Sequence, residues 1–247
     1  MTEPYYDQDG ITIYLGDCLD VLPALSPVEI VFTSPPYNLG TGPGGRTGKK
    51  NNTKWERAYH PGGVGYGYAD HDDAMPLEDY ELWQRSVLSA LWEHTTGAIF
   101  YNHKPRPWQT EIWLPLRLNP GLPLRQIIVW ARSGGINFNV AHYVPMYEWI
   151  LLFAREGWKL RDQPASGVGD LWSVPQETRT EHPAPFPVGL PARAIETTGA
   201  RSILDPFMGS GTTLRAAKDA GIRGIGIEIS ERYCELAVRR LAQGVFV

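Results

Sequence analysis

Seven short apolar runs recur along the chain, and each has the length of a strand rather than that of a helix. They cover residues 11–15, 28–32, 97–101, 126–131, 147–153, 201–204 and 222–227. Between most of them, apolar side chains recur every three or four residues, which predicts helices with one buried face. Strands that alternate with helices favour a largely parallel, doubly wound sheet, so the sequence predicts the α/β class.

Two helices and one strand pair are the best defined of these elements. A helix over 77–94 carries Tyr80, Trp83, Val87, Leu88, Leu91 and Trp92 on one face. A second helix follows Ser230, which is a favourable N-cap residue. The runs 126–131 and 147–153 have no helical pattern between them, and we therefore expect them to pair antiparallel.

Composition limits the kind of protein. With 247 residues, 43% of them apolar, the chain can bury a full core, and we expect one domain over 1–247. A formal charge of −4 and a pI near 5.9 mean that any contact with nucleic acid needs a local basic patch. Two distant cysteines and no apolar stretch of 18 residues predict a cytoplasmic protein without disulfides, membrane span or metal site.

The lip, Ser34–Pro35–Pro36–Tyr37, directly follows the second predicted strand. Two consecutive prolines end that strand and fix the local backbone. The lip offers the hydroxyl of Ser34, the carbonyl of Pro35 and the ring of Tyr37, a set that suits a planar base with an exocyclic amine. A Pro-Pro turn next to an ordinary core tyrosine is the alternative interpretation.

A glycine-rich segment follows the strand at 201–204 and predicts a cofactor loop. It comprises Asp205, Pro206, Phe207, Met208, Gly209, Ser210, Gly211, Thr212 and Thr213. Its glycines allow close backbone approach, and the helix after it offers unpaired N–H groups. The segment lacks the lysine of a phosphate-binding P-loop, and Leu214 stands where a dinucleotide fingerprint has its third glycine. Glu228 ends the next strand, placed for two ribose hydroxyls, so the pattern favours S-adenosylmethionine.

Together the two motifs resemble the amino-methyltransferases that modify exocyclic nitrogens of DNA bases. The lip matches their [D/N/S]-P-P-[Y/F] motif, and 205–213 matches D-P-F-x-G-S-G-T-T. The lip precedes the loop, which is the circularly permuted order of the β class. The resemblance implies a class I methyltransferase fold, Rossmann-like, with seven mostly parallel strands and one antiparallel strand. It also implies S-adenosyl-L-methionine as cofactor and double-stranded DNA as substrate.

The resemblance assigns further residues. Asp17 and Cys18 match the segment that contacts the cofactor adenine, while His182 and Pro187 match one that holds its methionine end. Phe186 replaces the lysine usual in that segment, and His182 could equally be a simple loop histidine. In the family a serine lip goes mostly with cytosine N4 and an acidic lip with adenine N6. Ser34 therefore predicts methylation of cytosine N4 on a base flipped out of the duplex, with adenine N6 as the alternative.

Two segments are candidates for DNA contact. The long glycine-rich loop 39–76 combines aromatic residues with basic ones, and a solvated insertion is the alternative interpretation. The basic residues are Arg46, Lys49, Lys50, Lys54 and Arg57. The segment 154–191 takes the place of a short target-recognition region, and its base contacts stay open.

Two other functions compete with DNA methylation. Enzymes that methylate a protein glutamine share a similar lip and sheet, but their cofactor loop comes first and their lip carries asparagine. A catalytically inactive DNA-binding relative is the other alternative, and both intact motifs argue against it. A homodimer and a cognate restriction endonuclease stay open as partners.

Overall fold

The computed structural model of the chain describes residues 3–38, 74–108, 110–132, 141–175 and 186–243. The strands in these ranges are β1 Tyr6–Gln8, β2 Ile11–Leu15, β3 Val28–Thr33, β4 Thr95–His103, β5 Arg106–Trp108, β6 Glu111–Trp113, β7 Leu124–Ala131, β8 Tyr147–Ala154, β9 Leu171–Ser173, β10 Ser202–Asp205 and β11 Arg223–Glu228. The α-helices are α1 Cys18–Val21, α2 Leu77–Glu93, α3 Gln163–Ser166, α4 Gly189–Thr198, α5 Thr212–Asp219 and α6 Glu231–Ala242. None of the helices in the described ranges has the length and apolar character needed to cross a membrane.

The seven predicted strands form the contiguous centre of the main sheet. The strand order is β1-β2-β11-β10-β3-β4-β8-β7-β9, and β2, β11, β10, β3 and β4 run parallel. Strand β8 is antiparallel to both β4 and β7. The α/β class, the mostly parallel sheet and one reversed strand, β8, among the seven central strands are therefore confirmed, and the edge strand β1 is also antiparallel to its neighbour β2.

The strand count of seven is wrong for the described sheet, which has nine strands. The additional strands β1 and β9 lie at the two edges and have three residues each. Both are largely exposed, so neither produces the continuous apolar run that marks a buried strand.

Helices cover both faces of the sheet, as a doubly wound fold requires. On strand β3, Ile30 and Phe32 pack in one apolar cluster together with residues of α4, α5 and α6. Val31 points to the opposite face and packs with α1 and α2. Because the central strands of the sheet are covered on both sides, their sequences are apolar throughout rather than alternating between apolar and polar residues.

The sheet register brings the predicted functional segments to one edge. The carboxyl ends of parallel strands share an edge, and in open α/β sheets ligands bind there. Leu15, Thr33, Asp205 and Glu228 are the last residues of β2, β3, β10 and β11. Leu15 pairs with Glu228, and Leu204 pairs with Val31. The lip and the cofactor loop therefore begin on neighbouring strands, although they are far apart in the chain.

Candidate active site

Buried polar side chains hold the backbone of the lip. The Tyr80 hydroxyl donates to the carbonyl of Pro36 at 2.9 Å. The Arg106 guanidinium donates to the carbonyl of Tyr37 and, at 2.7 Å, to that of Asn38. Pro35 and Pro36 are buried, whereas Ser34 and Tyr37 are partly exposed. The lip thus presents a hydroxyl and an aromatic ring from a fixed backbone.

His103 supports the lip from the adjoining strand β4. Its ring stacks on that of Tyr37 with centroids 4.3 Å apart. The backbone N–H of Lys104 donates to Nδ1 at 2.8 Å, and Nε2 lies 2.7 Å from the Tyr80 hydroxyl, so a ring protonated at Nε2 satisfies both contacts. Burial lowers the pKa of His103 to about 3, and the ring is therefore neutral near pH 7.

A buried carboxylate, Glu148 of β8, lies behind the two partly exposed side chains of the lip. The Tyr37 hydroxyl donates to Glu148 Oε2 at 2.9 Å and lies 2.8 Å from Ser34 Oγ. Asn102 Nδ2 lies 2.7 Å from the Tyr37 hydroxyl, 2.9 Å from Glu148 Oε2 and 3.2 Å from Ser34 Oγ. Arg132 Nη1 pairs with Glu148 Oε1 at 3.1 Å.

The network around Glu148 was not predicted from the sequence, although one signal for it was available. Glu148 lies within the apolar run that forms β8 and is only 5% exposed. A carboxylate at a buried strand position is costly unless it is paired, so an isolated acid in such a run calls for partners. Those partners come from strand ends that only the tertiary structure brings together.

Asp205 joins the lip strand to the cofactor loop. Its fully buried carboxylate accepts from Thr33 Oγ1 at 2.8 Å, Thr213 Oγ1 at 2.7 Å and the Phe207 N–H at 3.1 Å. Burial raises the pKa of Asp205 to about 6, and the three donors act in the opposite direction. The side chain is thus engaged by protein donors, and its main effect is to fix the two motifs to each other.

Glu228 lies on the other side of the loop. Its Oε2 accepts the N–H of Gly209 at 2.9 Å, and its Oε1 accepts that of Ser230 at 3.0 Å. Burial, followed by the nearby charge of Asp205, raises the pKa of Glu228 to about 7 against the effect of these donors. An ionised carboxylate has about four acceptor positions, so each oxygen can still accept a ligand hydroxyl.

Gly211 lets the loop pass close to helix α6. Its φ is +80°, and a Cβ atom at this position would lie 2.9 Å from the Cβ of Ala237. Glycine is therefore required for both its conformation and its contact. Helix α5 starts at the next residue, and its first N–H groups have no partner within the helix.

A sequence profile of the N6/N4 DNA methylase family matches residues 28–239. The chain belongs to this family of DNA methylases. Among its relatives, the Type II methyltransferase M.ScaI of Streptomyces caespitosus is 27% identical, with 99% of this chain and 86% of that protein aligned. The Type II methyltransferase M.BglII of Bacillus subtilis is 25% identical over 93% of this chain and 68% of its own length. The membership favours DNA over a protein glutamine as substrate of this methylase.

Solved structures of methyltransferases share the fold. The PvuII DNA methyltransferase (cytosine-N4-specific) superposes with a TM-score of 0.74 over 100% of this chain and 91% of its own, at 15% identity. M1.HpyAVI, in complex with S-adenosylmethionine, gives a TM-score of 0.58 over 94% of this chain and 100% of its own, at 19% identity. This methylase therefore has the class I methyltransferase fold.

S-Adenosyl-L-methionine is the methyl donor of this enzyme class, and the cleft of this methylase fits it. Glu228 retains acceptor capacity for two ribose hydroxyls at the carboxyl edge of the sheet. Asp17 is exposed, and the neighbouring Gly16 N–H donates to the Glu228 carbonyl at 2.9 Å, so Asp17 lies beside Glu228. The start of α5 adds backbone donors on the other side.

The remaining predicted cofactor residues occupy different environments. Cys18 is buried in the apolar cluster beneath α2, and burial raises the pKa of its thiol to about 12, so it stays neutral. Pro187 is buried just before α4. Pro206 is buried, Phe207 packs edge-on against Trp83, Ser210 is half-buried, and Thr212 accepts from Arg240 at 3.1 Å.

Several predicted residues lie outside the described ranges and remain predictions. They are His182 and the basic set of Arg46, Lys49, Lys50, Lys54 and Arg57. The described part of segment 154–191 includes β9, which pairs parallel with β7 and so extends the sheet. That part of the segment is therefore structural as well as a candidate for DNA contact.

Proposed function

We propose that this DNA methylase transfers a methyl group from S-adenosylmethionine to N4 of a cytosine in double-stranded DNA. The observation that carries the proposal is Ser34, a partly exposed hydroxyl at the first position of a rigid lip. A neutral hydroxyl at this position is the form of the lip that goes mostly with cytosine N4 in the family. Asp205 attaches the cofactor loop to the strand that carries the lip. The methyl donor and the target amine would therefore meet at the same edge of the sheet.

The lip residues would position the target amine. A target base must first leave the duplex, at a cost of a few kcal/mol. Its amine would donate to Ser34 Oγ and to the Pro35 carbonyl, which draws the nitrogen toward sp³ geometry and directs its lone pair. The exposed part of the Tyr37 ring would pack against the base. The bound cofactor supplies the electrophilic methyl group on its sulfonium and leaves as a neutral thioether, and the methylated amine then releases one proton to solvent.

The cofactor would be held by residues on both sides of the loop. Glu228 would accept hydrogen bonds from the ribose hydroxyls, and Asp17 would contact the adenine. The N–H groups at the start of α5, which have no partner within the helix, would complete the cleft. His182 and Pro187 are proposed to contact the methionine end, as the family resemblance implies.

The product should be N4-methyldeoxycytidine. DNA methylated in vitro would be digested to nucleosides and separated by mass spectrometry. Ser34→Ala should lower the yield roughly tenfold to a hundredfold, because the reacting amine would have no side-chain acceptor at this position. Ser86→Ala is the matched control, since the Ser86 hydroxyl is exposed on α2 and bonds only a helix carbonyl among its described contacts.

Methylation of adenine N6 is the second candidate, because the family comprises enzymes of both kinds and the adenine amine also donates two hydrogen bonds. N6-methyldeoxyadenosine as sole product would overturn the assignment to cytosine and leave DNA methylation in place. Methyl incorporation into a protein fraction, with none into DNA, would overturn the assignment to DNA.

The basic residues of loop 39–76 are proposed to bind DNA phosphates. Replacing Lys49, Lys50 and Lys54 together with alanine should weaken DNA binding about equally for all sequences. The slope of log affinity against log salt should fall by about 0.9 for each phosphate that is no longer neutralised by a lysine. The slope is measured by titration at several salt concentrations.

Lys218→Ala provides the control for this triple variant. Lys218 lies in the last turn of α5 and pairs with Asp9 at 2.9 Å, toward the opposite edge of the sheet from the lip. It should leave the slope unchanged, and cofactor affinity should stay constant in both variants. A triple variant with the wild-type salt slope would favour the solvated insertion instead.

A further inference from the structure

We propose that Glu148 is a positioning residue that fixes the direction of the hydrogen bonds in the lip, so that Ser34 Oγ can only accept from the substrate. The inference rests on the proposed transfer to an exocyclic amine, which approaches the lip with N–H donors. It gives a role to a buried carboxylate on a strand that carries neither of the two motifs.

Glu148 places a hydrogen-bond acceptor at the base of the network. An ionised carboxylate can only accept hydrogen bonds. Its Oε1 faces Arg132 Nη1 at 3.1 Å, which compensates the buried charge. Its Oε2 faces the Tyr37 hydroxyl and Asn102 Nδ2, both at 2.9 Å. Every described polar group that contacts this carboxylate must therefore donate to it.

The Tyr37 hydroxyl passes this polarity to Ser34. Tyr37 has a single hydroxyl proton, and burial together with the adjacent Glu148 carboxylate raises the pKa of Tyr37 well above its usual value. That proton is given to Glu148, so in the 2.8 Å contact between the hydroxyls Ser34 must be the donor. The one proton of Ser34 is then used within the protein, and its oxygen faces the substrate as an acceptor.

Asn102 is oriented by the same carboxylate. With the opposite amide orientation, its Oδ1 would face Glu148 Oε2 at about the 2.9 Å now occupied by Nδ2, and two acceptors would repel each other. With Nδ2 toward the network, the contact to Ser34 Oγ is the longest of its three, at 3.2 Å. Because this contact is long, a lone pair of Ser34 Oγ stays available for the substrate amine.

Substitution with glutamine should reverse this polarity. Arg132 would attract the amide oxygen of the new side chain and direct its NH₂ group toward Tyr37. The Tyr37 proton would then turn to Ser34, and the Ser34 proton would turn toward the substrate amine. The Ser34 O–H and the substrate N–H would then face each other as two donors, whereas in wild type Ser34 Oγ accepts from the amine. We therefore expect the variant to lose rate in the chemical step.

The test compares Glu148→Gln with Glu148→Asp. For the glutamine variant we expect kcat to fall roughly a hundredfold, with cofactor Kd and the KM for DNA within about twofold of wild type. Aspartate keeps an acceptor but is one methylene shorter, so it should retain more of kcat. A merely structural role predicts the reverse order, because glutamine has the shape of glutamate. Glu156→Gln, an exposed acid just after β8, is the control.

A double-mutant cycle with Tyr37→Phe tests whether Glu148 acts through Tyr37. Without the phenol proton, Glu148→Gln should add little further loss of kcat, so the two effects should be strongly non-additive. Thermal unfolding and cofactor binding would show that each variant is folded. If the glutamine variant does not fold, a kcat of Tyr37→Phe equal to that of wild type would overturn the positioning role, because Glu148 reaches Ser34 through the Tyr37 hydroxyl.

The outcomes separate the two proposals. Three results would overturn the positioning role while wild type still methylates DNA. They are additive losses of kcat in Glu148→Gln and Tyr37→Phe, a glutamine variant more active than the aspartate variant, and a kcat that Glu148→Gln leaves unchanged. A wild-type enzyme that transfers no methyl group to DNA would overturn the proposed function, and the positioning role with it.

Discussion

Glu228→Ala should weaken binding of S-adenosylmethionine at least a hundredfold. Two hydrogen bonds from ribose hydroxyls to a carboxylate are each worth about 1.5–3 kcal/mol, which corresponds to a loss of about 3–6 kcal/mol in binding free energy. Isothermal titration calorimetry of the free protein measures the change. An unchanged dissociation constant would remove Glu228 from the cofactor site.

Glu231→Ala is the matched control, because it removes an exposed carboxylate three positions further along the chain. Glu228→Gln is a poor control. Both carboxylate oxygens accept backbone N–H groups, so an amide NH₂ would face one of these donors. Circular dichroism and thermal unfolding would establish that the alanine variants are folded.

The raised pKa of Glu228, about 7, gives cofactor binding a pH dependence. Ribose hydroxyls donate to the ionised form, so affinity should rise with pH up to about 7 and then level off. The effect on folding has the opposite sign. Since the folded pKa lies above the ordinary value of 4.5, this group favours folding most below pH 4.5, and that contribution is lost as pH rises through 7.

Gly211→Ala should destabilise the fold by about 2–5 kcal/mol. A left-handed backbone costs a non-glycine residue about 1–2 kcal/mol, and overpacking adds about 1–3 kcal/mol. The new Cβ would lie 2.9 Å from the Cβ and 3.3 Å from the Cα of Ala237, and a backbone atom cannot move aside as a flexible side chain can. Urea unfolding measures the change in the free energy of unfolding.

Gly221→Ala separates the two contributions. Gly221 has a similar φ of +66°, but a Cβ there would meet nothing within 4 Å, so this variant should show the conformational cost alone. Equal losses in both variants would contradict the contact with Ala237. A double variant, Gly211→Ala with Ala237→Gly, should recover part of the lost stability because it removes the closest atom.

The centre of the fold was predictable from sequence because its strands are covered on both faces, as Phe32 and Val31 of β3 illustrate. Such strands produce apolar runs that need no tertiary information. The edge strands β1 and β9 were missed because three largely exposed residues carry no such signal. The reversed strand β8 was predicted because no helix separates it from β7.

The candidate site was only half predictable, for a similar reason. The lip and the loop are local motifs, and each is recognisable within ten residues. The Glu148 network instead depends on the strand order β3-β4-β8, which places Ser34, Asn102 and Glu148 side by side. Hydrophobic periodicity identifies strands but does not order them, so contacts between side chains on different strands stay invisible in the sequence.

The order of the central strands also bears on how the protein folds. Strands β2 and β3 are close in the chain, but β11 and β10 lie between them in the sheet. The hydrogen bond from the Glu29 N–H to Ser202 Oγ spans 173 positions. Pairings of this kind are slow, because the entropy of closing a long loop is lost before any contact compensates for it. Thr33 reaches Asp205 only at that late step, so the lip and the cofactor loop should become ordered together, in one folding event.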